Sequence, residues 1–439
     1  MNISRRSLLT SFGGMTVGSL LPNVSSANHS DDFKALVCIY LAGGNDSVNT
    51  VIPTDQYHYD EYKQTRPAIA VSESSVVPIT QTALDNQGKI VQLGLHPKLA
   101  KLANLFNQHR AMVVLNSGIL KEPLTKQEIE NNIKPLPPQL FSHNSQTYEW
   151  EKGAVGFAPQ FGWAGRMLDV LGSHSAIAPL YSITNKTLWL RSLHHQQNIL
   201  KPSGTAQINA LKNTNMESSY NALTTAPSNN PFTLHLRNMM GDAMHISQTL
   251  DDQVNSVSNW QGFTNSSLGK QFQFAYKLIK SQKALNQARQ VLYLKQSGYD
   301  LHDNQLIDHP LLLADLATNL MAFDNAMSDN GLSSNVTSFT TSEFGRRLAS
   351  NGKGTDHGWG GHQFILGGAV NTSDAVGTWP EIRVNGADDI SNGRLVPTLG
   401  TDQVNATLAR WMGVNNENEL NYVFPNIHHF ASSNLGFLS

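Results

Sequence analysis

The chain has 439 residues, 40% of them hydrophobic, with a formal net charge of −2 at pH 7. That content supports a sizeable core, and the charge leaves no nucleic-acid footprint. The single cysteine, Cys38, excludes an internal disulfide framework. The length suits one large α/β domain with insertions or two ordinary domains.

The first 27 residues read as an address. Ser4-Arg5-Arg6-Ser7-Leu8-Leu9 sets a twin-arginine pair before the apolar run Leu8–Leu21, and Ser25-Ser26-Ala27 offers small residues for cleavage. The run is interrupted by Gly13, Gly14 and Gly18 and is short for a membrane span, so a cleaved signal is expected, with an uncleaved anchor as the other reading. The twin-arginine export machinery is then a partner, and the mature chain is expected in the periplasm or outside the cell, with no transmembrane segment. Removing the signal's two arginines takes the formal charge from −2 to −4.

Ala35–Leu41 is a continuous β-rich apolar run, the pattern of a central strand covered on both faces, with Cys38 as a buried thiol. Gly43 and Gly44 let the chain turn sharply after it, presenting Asp46 where open α/β sheets place their ligands, or else as a turn or cap residue. Leu95–His109 has the spacing of an amphipathic helix with Pro97 near its start, and Ala111–Leu115 reads as the next strand. A charged, Pro-rich excursion, Ser117–Pro138, delivers Leu140–Thr147. There Ser142 suits a helix N-terminus: either a nucleophile whose hydroxyl a metal activates, with His143 beside it, or an N-cap serine with a solvent-facing histidine. Thr147 is a weaker substitute nucleophile.

Pro179–Thr184 is a further candidate strand, and the polar region around 185–255 reads as an insertion or cap over a substrate cleft. Gln271–Gln287 is a predicted helix and Val291–Leu294 a predicted strand. Asp300 and His302 follow that strand two apart, so an extended backbone would point both to one side. Asp308 is the expected cap of a helix over Leu311–Met327, with His309 as a weaker ligand candidate. Asn335–Thr340 is a β-branched strand leading into Thr341–Gly368, which packs Glu343, Arg346, Asp356, His357 and His362 among glycines. Hard oxygens and imidazoles in a loop point to a divalent metal; the other reading is a surface turn whose polar groups cap neighbouring elements. Phe364–Val370 reads as a strand and Asp402–Met412 as a helix burying Trp411. Strand ends near Asp46, Asp300 and Glu343 thus each carry acidic or imidazole groups, which suggests one site on one sheet.

The motifs LAGGNDSVNTVIP, LHPKLAKL, PPQLFSHNSQ, GYDLHDNQ, SEFGRRL, GTDHGWGGHQFILGG and GRLVPTLGTDQVNATLARWMGV resemble, in this order, the family of domain of unknown function 1501, over about residues 35–430. Those proteins are usually twin-arginine exported and are similar to the alkaline phosphatase and sulfatase superfamily. The resemblance implies a three-layer α/β/α sandwich with a mostly parallel sheet as one domain over residues 28–439. It also implies a metal-dependent hydrolase of phosphate or sulfate esters acting on a small-molecule or glycan ester. One or two divalent ions (Zn, Mn, Ca or Mg) are implied. Asp46, Ser142, Asp356 and His357 would form one metal site and Asp300, His302 and His362 a second. Glu343 would be a supporting group, and Arg346 would hold an ester oxygen. This chain departs from the pattern at Ser145, where many relatives are acidic, and in its Asp-x-His spacing. A non-catalytic surface or periplasmic protein keeping the fold is the alternative.

Overall fold

The computed structural model describes residues 32–173, 175–202 and 214–439; the twin-arginine segment lies outside them. Fourteen strands are present among the described residues. They are β1 (Lys34–Ala42), β2 (Val51–Pro53), β3 (Val77–Asp85), β4 (Ile90–Leu95), β5 (Ala111–Gly118), β6 (Leu180–Ser182), β7 (Asn198–Ile199), β8 (Arg289–Ser297), β9 (Val336–Thr341), β10 (Arg346–Ser350), β11 (Thr355–His357), β12 (Gly361–Leu366), β13 (Thr378–Trp379) and β14 (Leu399–Gly400).

Eight of them form the central sheet in the order β14-β5-β12-β9-β1-β8-β6-β7, parallel except for β12, which runs antiparallel to both neighbours. β1 shows why its sequence is apolar throughout. Ala35, Val37, Ile39 and Leu41 enter one core, while Leu36, Cys38 and Tyr40 enter the other. Helices Ser267–Lys280 and Gln305–Asp329 pack on the first face, and Trp163–Leu171, Thr401–Met412 and Glu417–Val423 on the second, giving three layers. Cys38 is fully buried and unpaired, and burial pushes its thiol well up.

Several elements differ from expectation for local reasons. The predicted helix from Leu95 begins only at Pro97, because Leu95 completes β4 and His96 Nδ1 caps Lys98 N; its first six residues are 3-10. The helix expected from Leu311 starts at Gln305 after Asn304 and carries Pro310 inside. Asp308 therefore lies in its first turn, and His309 is buried. Pro310 has no N–H to give to the Leu306 carbonyl, so the helix forgoes one bond there. The strand predicted at Phe364–Val370 spans Gly361–Leu366 instead, since Gly367 at φ +141° ends it, and so His362 is a strand residue. The region around 185–255 includes helices Thr214–Thr225 and Pro231–Ser256. No helix among the described residues is long and apolar enough to cross a membrane.

β9, β1 and β8 are adjacent and parallel, so the segments holding Glu343, Asp46 and Asp300 leave the sheet at one edge. Gly43, at φ +120°, binds these exits together. A Cβ there would sit 2.2 Å from Asp300 N, and its own N–H donates to Glu343 Oε1 at 2.9 Å.

Candidate metal centre

His143, Asp300 and His357 each offer a ligand atom, all within 4.8 Å of one another. His143 opens the helix His143–Lys152, Asp300 follows β8, and His357 ends the short strand β11. His302 joins them, with Nε2 2.9 Å from Asp300 Oδ1 and 3.2 Å from His357 Nε2. His357 Nε2 lies 3.1 Å from Asp300 Oδ1 and His143 Nε2 lies 3.3 Å from Asp300 Oδ2.

Every imidazole is held from behind. His143 Nδ1 meets Glu343 Oε1 at 2.8 Å, His302 Nδ1 meets Asp356 Oδ1 at 3.0 Å, and His357 Nδ1 meets the Phe141 carbonyl at 2.8 Å. Those acceptors place the ring proton on Nδ1, which leaves the Nε2 lone pairs pointing at each other and at Asp300. Such an array repels itself unless a cation or an extra proton sits between its members. His143 Nε2 is buried and has no hydrogen-bond partner. Ligand atoms bound at 2.0–2.1 Å around a tetrahedral ion lie about 3.3 Å apart, close to the separations here. The donor set suits zinc and other divalent ions that accept imidazole and carboxylate.

The electrostatics follow the contacts. Burial opposes the charge on Asp300, but the hydrogen bond and charge of Arg346, with His143 and His302, hold its carboxyl down to about 2. The hydrogen bond to Glu343 raises His143 against the effect of burial. Burial lowers His357, with His143 and Arg346 adding to it while the Phe141 carbonyl opposes. Asp356 is lowered despite burial by its bond to His302 and by Arg347, whose guanidinium lies 2.5 Å away.

Asp300, His302, His357 and His143 thus converge, with Glu343 and Asp356 behind them. Asp46 stands apart. Its carboxylate is 2% exposed and takes Arg66 in a two-point grip at 2.8 and 2.6 Å, and Gln305 donates to it as well. Arg346 supports the cluster from inside, donating to Asp300 Oδ1 and the Gly43 carbonyl, and to the carbonyl and hydroxyl of Thr355. Every nitrogen is engaged, four of its five N–H groups are taken inside the protein, and the side chain is buried, so it cannot offer a forked grip to an ester.

His362 is buried in β12, where Nδ1 accepts from Asn116 N and the ring stacks on Trp379 at 5.1 Å; burial drives it down to about 3. Its unpartnered Nε2 and the Ser47 hydroxyl line a cavity of about 30 Å³ that Glu343 also borders, room for one or two waters. Ser142 occupies the N-cap position of His143–Lys152 but makes no side-chain cap bond. Its neighbour Phe141 has φ +76°, a strained value for a non-glycine residue, and that turn aims the Phe141 carbonyl at His357. Ser145 donates to Gln139. Thr147 shares a hydrogen bond with Tyr40 Oη at 2.7 Å.

Residue patterns did not single out Phe141, Arg66, Arg347 or Arg394. Arg394 donates from Nε to the His357 carbonyl at 3.2 Å and lies 4.5 Å over the Phe141 ring. The Gly-Arg-Leu-Val-Pro stretch that contains it was visible, but nothing in its spacing marks an arginine as facing a site.

The fold and site define an α/β sandwich with an imidazole–carboxylate cluster at the carboxyl ends of its parallel strands. The chain belongs to the family described as protein of unknown function DUF1501, matched over residues 33–423. No curated protein matches it in sequence. Among solved structures it is similar to the lipoteichoic acid synthase LtaP from Listeria monocytogenes, at 12% identity and TM-score 0.35, covering 86% of this chain and 78% of that one. It is also similar to the PsFucS1 sulfatase from Pseudoalteromonas sp., at 9% identity and TM-score 0.31, covering 89% and 70%. A variant of the alkaline phosphatase PafA matches at 9% identity and TM-score 0.27, over 73% and 64%. Likenesses this distant do not bear on activity.

Proposed function

We propose that this protein is an exported, metal-dependent hydrolase of phosphate or sulfate esters, with Ser142 as its nucleophile. The observation that carries the reading is the cluster itself: three Nε2 atoms and one carboxylate at metal-ligand separations, each imidazole fixed through its other nitrogen. His143, Asp300, His302 and His357 would hold a single divalent ion. Asp46 is already gripped by Arg66, and His362 lines a cavity that none of these four residues borders, so neither is assigned to it. When bound, the ion supplies Lewis-acid chemistry, lowering the pKa of a nearby hydroxyl and neutralising charge on the transferring group.

The chain's own groups do the positioning. Glu343 and the Phe141 carbonyl keep His143 and His357 in one tautomer, which fixes the residues on both sides of Ser142. Ser142 Oγ, unused in capping, gives up its proton to solvent and forms a bond to phosphorus or sulfur, as the ester oxygen leaves with its electron pair and takes a proton back from solvent. Water then cleaves the seryl ester, releasing phosphate or sulfate and restoring the hydroxyl.

The test is elemental analysis of the purified protein and of Asp300→Ala and Ser142→Ala, followed by an ester screen under the metal found. About one equivalent of metal is expected in wild type and Ser142→Ala and none in Asp300→Ala, with activity falling about 10³-fold or more in Ser142→Ala. Wild type that holds no metal without ever meeting chelator would favour the non-catalytic reading.

A further inference from the structure

Arg346 spends four of its five N–H groups inside the protein, whereas a second guanidinium keeps both terminal nitrogens for a partner. Arg394 is half-buried, and its terminal nitrogens have no partner among the described residues. Its backbone is clamped on both sides, by Leu348 N donating to the Gly393 carbonyl at 2.8 Å and Gly360 N donating to the Leu395 carbonyl at 2.9 Å. The side chain is aimed by its Nε bond to His357 and by its stacking on Phe141. Those are the residue that closes β11 in the cluster and the residue before Ser142. A planar fork held by one edge and one face keeps its outer N–H groups for a forked partner, two oxygens of a tetrahedral group.

Charge then separates the ester classes. Around the cluster, Arg346, Arg347 and Arg394 balance Asp300, Glu343 and Asp356. A divalent ion held by neutral imidazoles leaves the mouth two charges positive. A phosphate monoester above its second pKa of about 6 is a dianion and matches that excess. A sulfate ester carries one negative charge and does not.

Resting on the hydrolase reading above, we propose that Arg394 grips two oxygens of the transferring group and that the site selects dianionic phosphate monoesters over sulfate esters. The experiment is calorimetric binding of methyl phosphate and methyl sulfate at pH 8 to metal-analysed wild type, Arg394→Met and Arg394→Lys. Wild type should bind methyl phosphate at least about tenfold tighter than methyl sulfate. Arg394→Met should lose about 30-fold in methyl phosphate affinity at unchanged metal content, and Arg394→Lys should recover part of it. Methyl phosphate binding unchanged in Arg394→Met, or a wild-type preference for methyl sulfate, overturns the proposal. Metal-loaded wild type that binds neither ester overturns it too and leaves the metal centre standing. Wild type without metal fails the hydrolase reading and takes this one with it.

Discussion

Asp46 and Asp300 occupy equivalent places and have opposite surroundings. Each follows the carboxyl end of one of two adjacent parallel strands, β1 and β8. Asp46 is 2% exposed and gripped at both oxygens by the fully buried Arg66. Asp300 has a side chain 44% exposed and faces three imidazoles, with Arg346 as its one guanidinium partner among the described residues. A strand end therefore offers a carboxylate to a site, but the neighbours decide whether it can take a ligand. An arginine that matches both oxygens closes the position, whereas imidazoles with fixed rear nitrogens leave it open.

The sharpest way to break that contrast is to remove the grip on Asp46. Arg66→Met leaves a carboxylate buried without its cation, and the expected loss is about 3–5 kcal/mol, measured by urea unfolding at pH 7. Metal content per folded molecule should not change. A loss below about 1 kcal/mol would mean that water reaches Asp46 and that it is not sealed at all.

A third carboxylate shows what burial does when no grip is supplied. Asp402, in the first turn of Thr401–Met412, is buried with Oδ2 unpartnered; burial raises it to about 7, with Arg166 opposing and Glu149 adding. The folded protein then holds a proton that the unfolded chain releases near pH 4. The resulting stabilisation is complete below about pH 4 and disappears as pH rises through about 7. Asp402→Asn should remove that dependence. Its stability relative to wild type should climb across this window by at most about 4 kcal/mol, read from unfolding curves at pH 4.5, 6 and 8. A flat difference would show that Asp402 stays ionised throughout.

Much of this arrangement was legible in the residues, for physical reasons. The unbroken apolar run of β1 could only be a strand covered on both faces, and glycines after it marked a sharp exit. Carboxylates and imidazoles just past β8 and in the Gly-rich stretch that holds β11 marked candidate groups, and Asp300, His302 and His357 do lie side by side. What stayed hidden depended on partners distant in the chain. Nothing near Asp46 announces that Arg66, twenty residues on, folds back to seal it, and nothing near Arg346 shows that Thr355 and Gly43 occupy all three of its nitrogens. His362 was misplaced because a strand start at Gly361 looks like loop in a Gly-rich stretch. The role of Phe141 rests on a positive φ that no residue pattern predicts.

Support behind the ligands provides the next test. Glu343→Gln keeps shape and a hydrogen-bonding oxygen but removes the charge that orients His143. Metal affinity should fall about 10–100-fold in a chelator competition, with the fold retained. Equal affinity in the variant would place His143 outside the ligand set.

The smallest effect is expected where the contrast predicts almost none. Asp300→Asn should abolish metal binding yet change the stability of the metal-free protein by no more than about 1 kcal/mol. Its side chain is 44% exposed, so solvent screens its ion pairs, and Arg346 keeps its bonds to the Gly43 and Thr355 carbonyls without it. An asparagine oxygen can still accept from Arg346, which leaves no buried donor orphaned. Urea unfolding in excess chelator measures the effect. A loss comparable to that of Arg66→Met would make Asp300 a structural carboxylate like Asp46, and the difference between the two strand ends would be one of exposure alone.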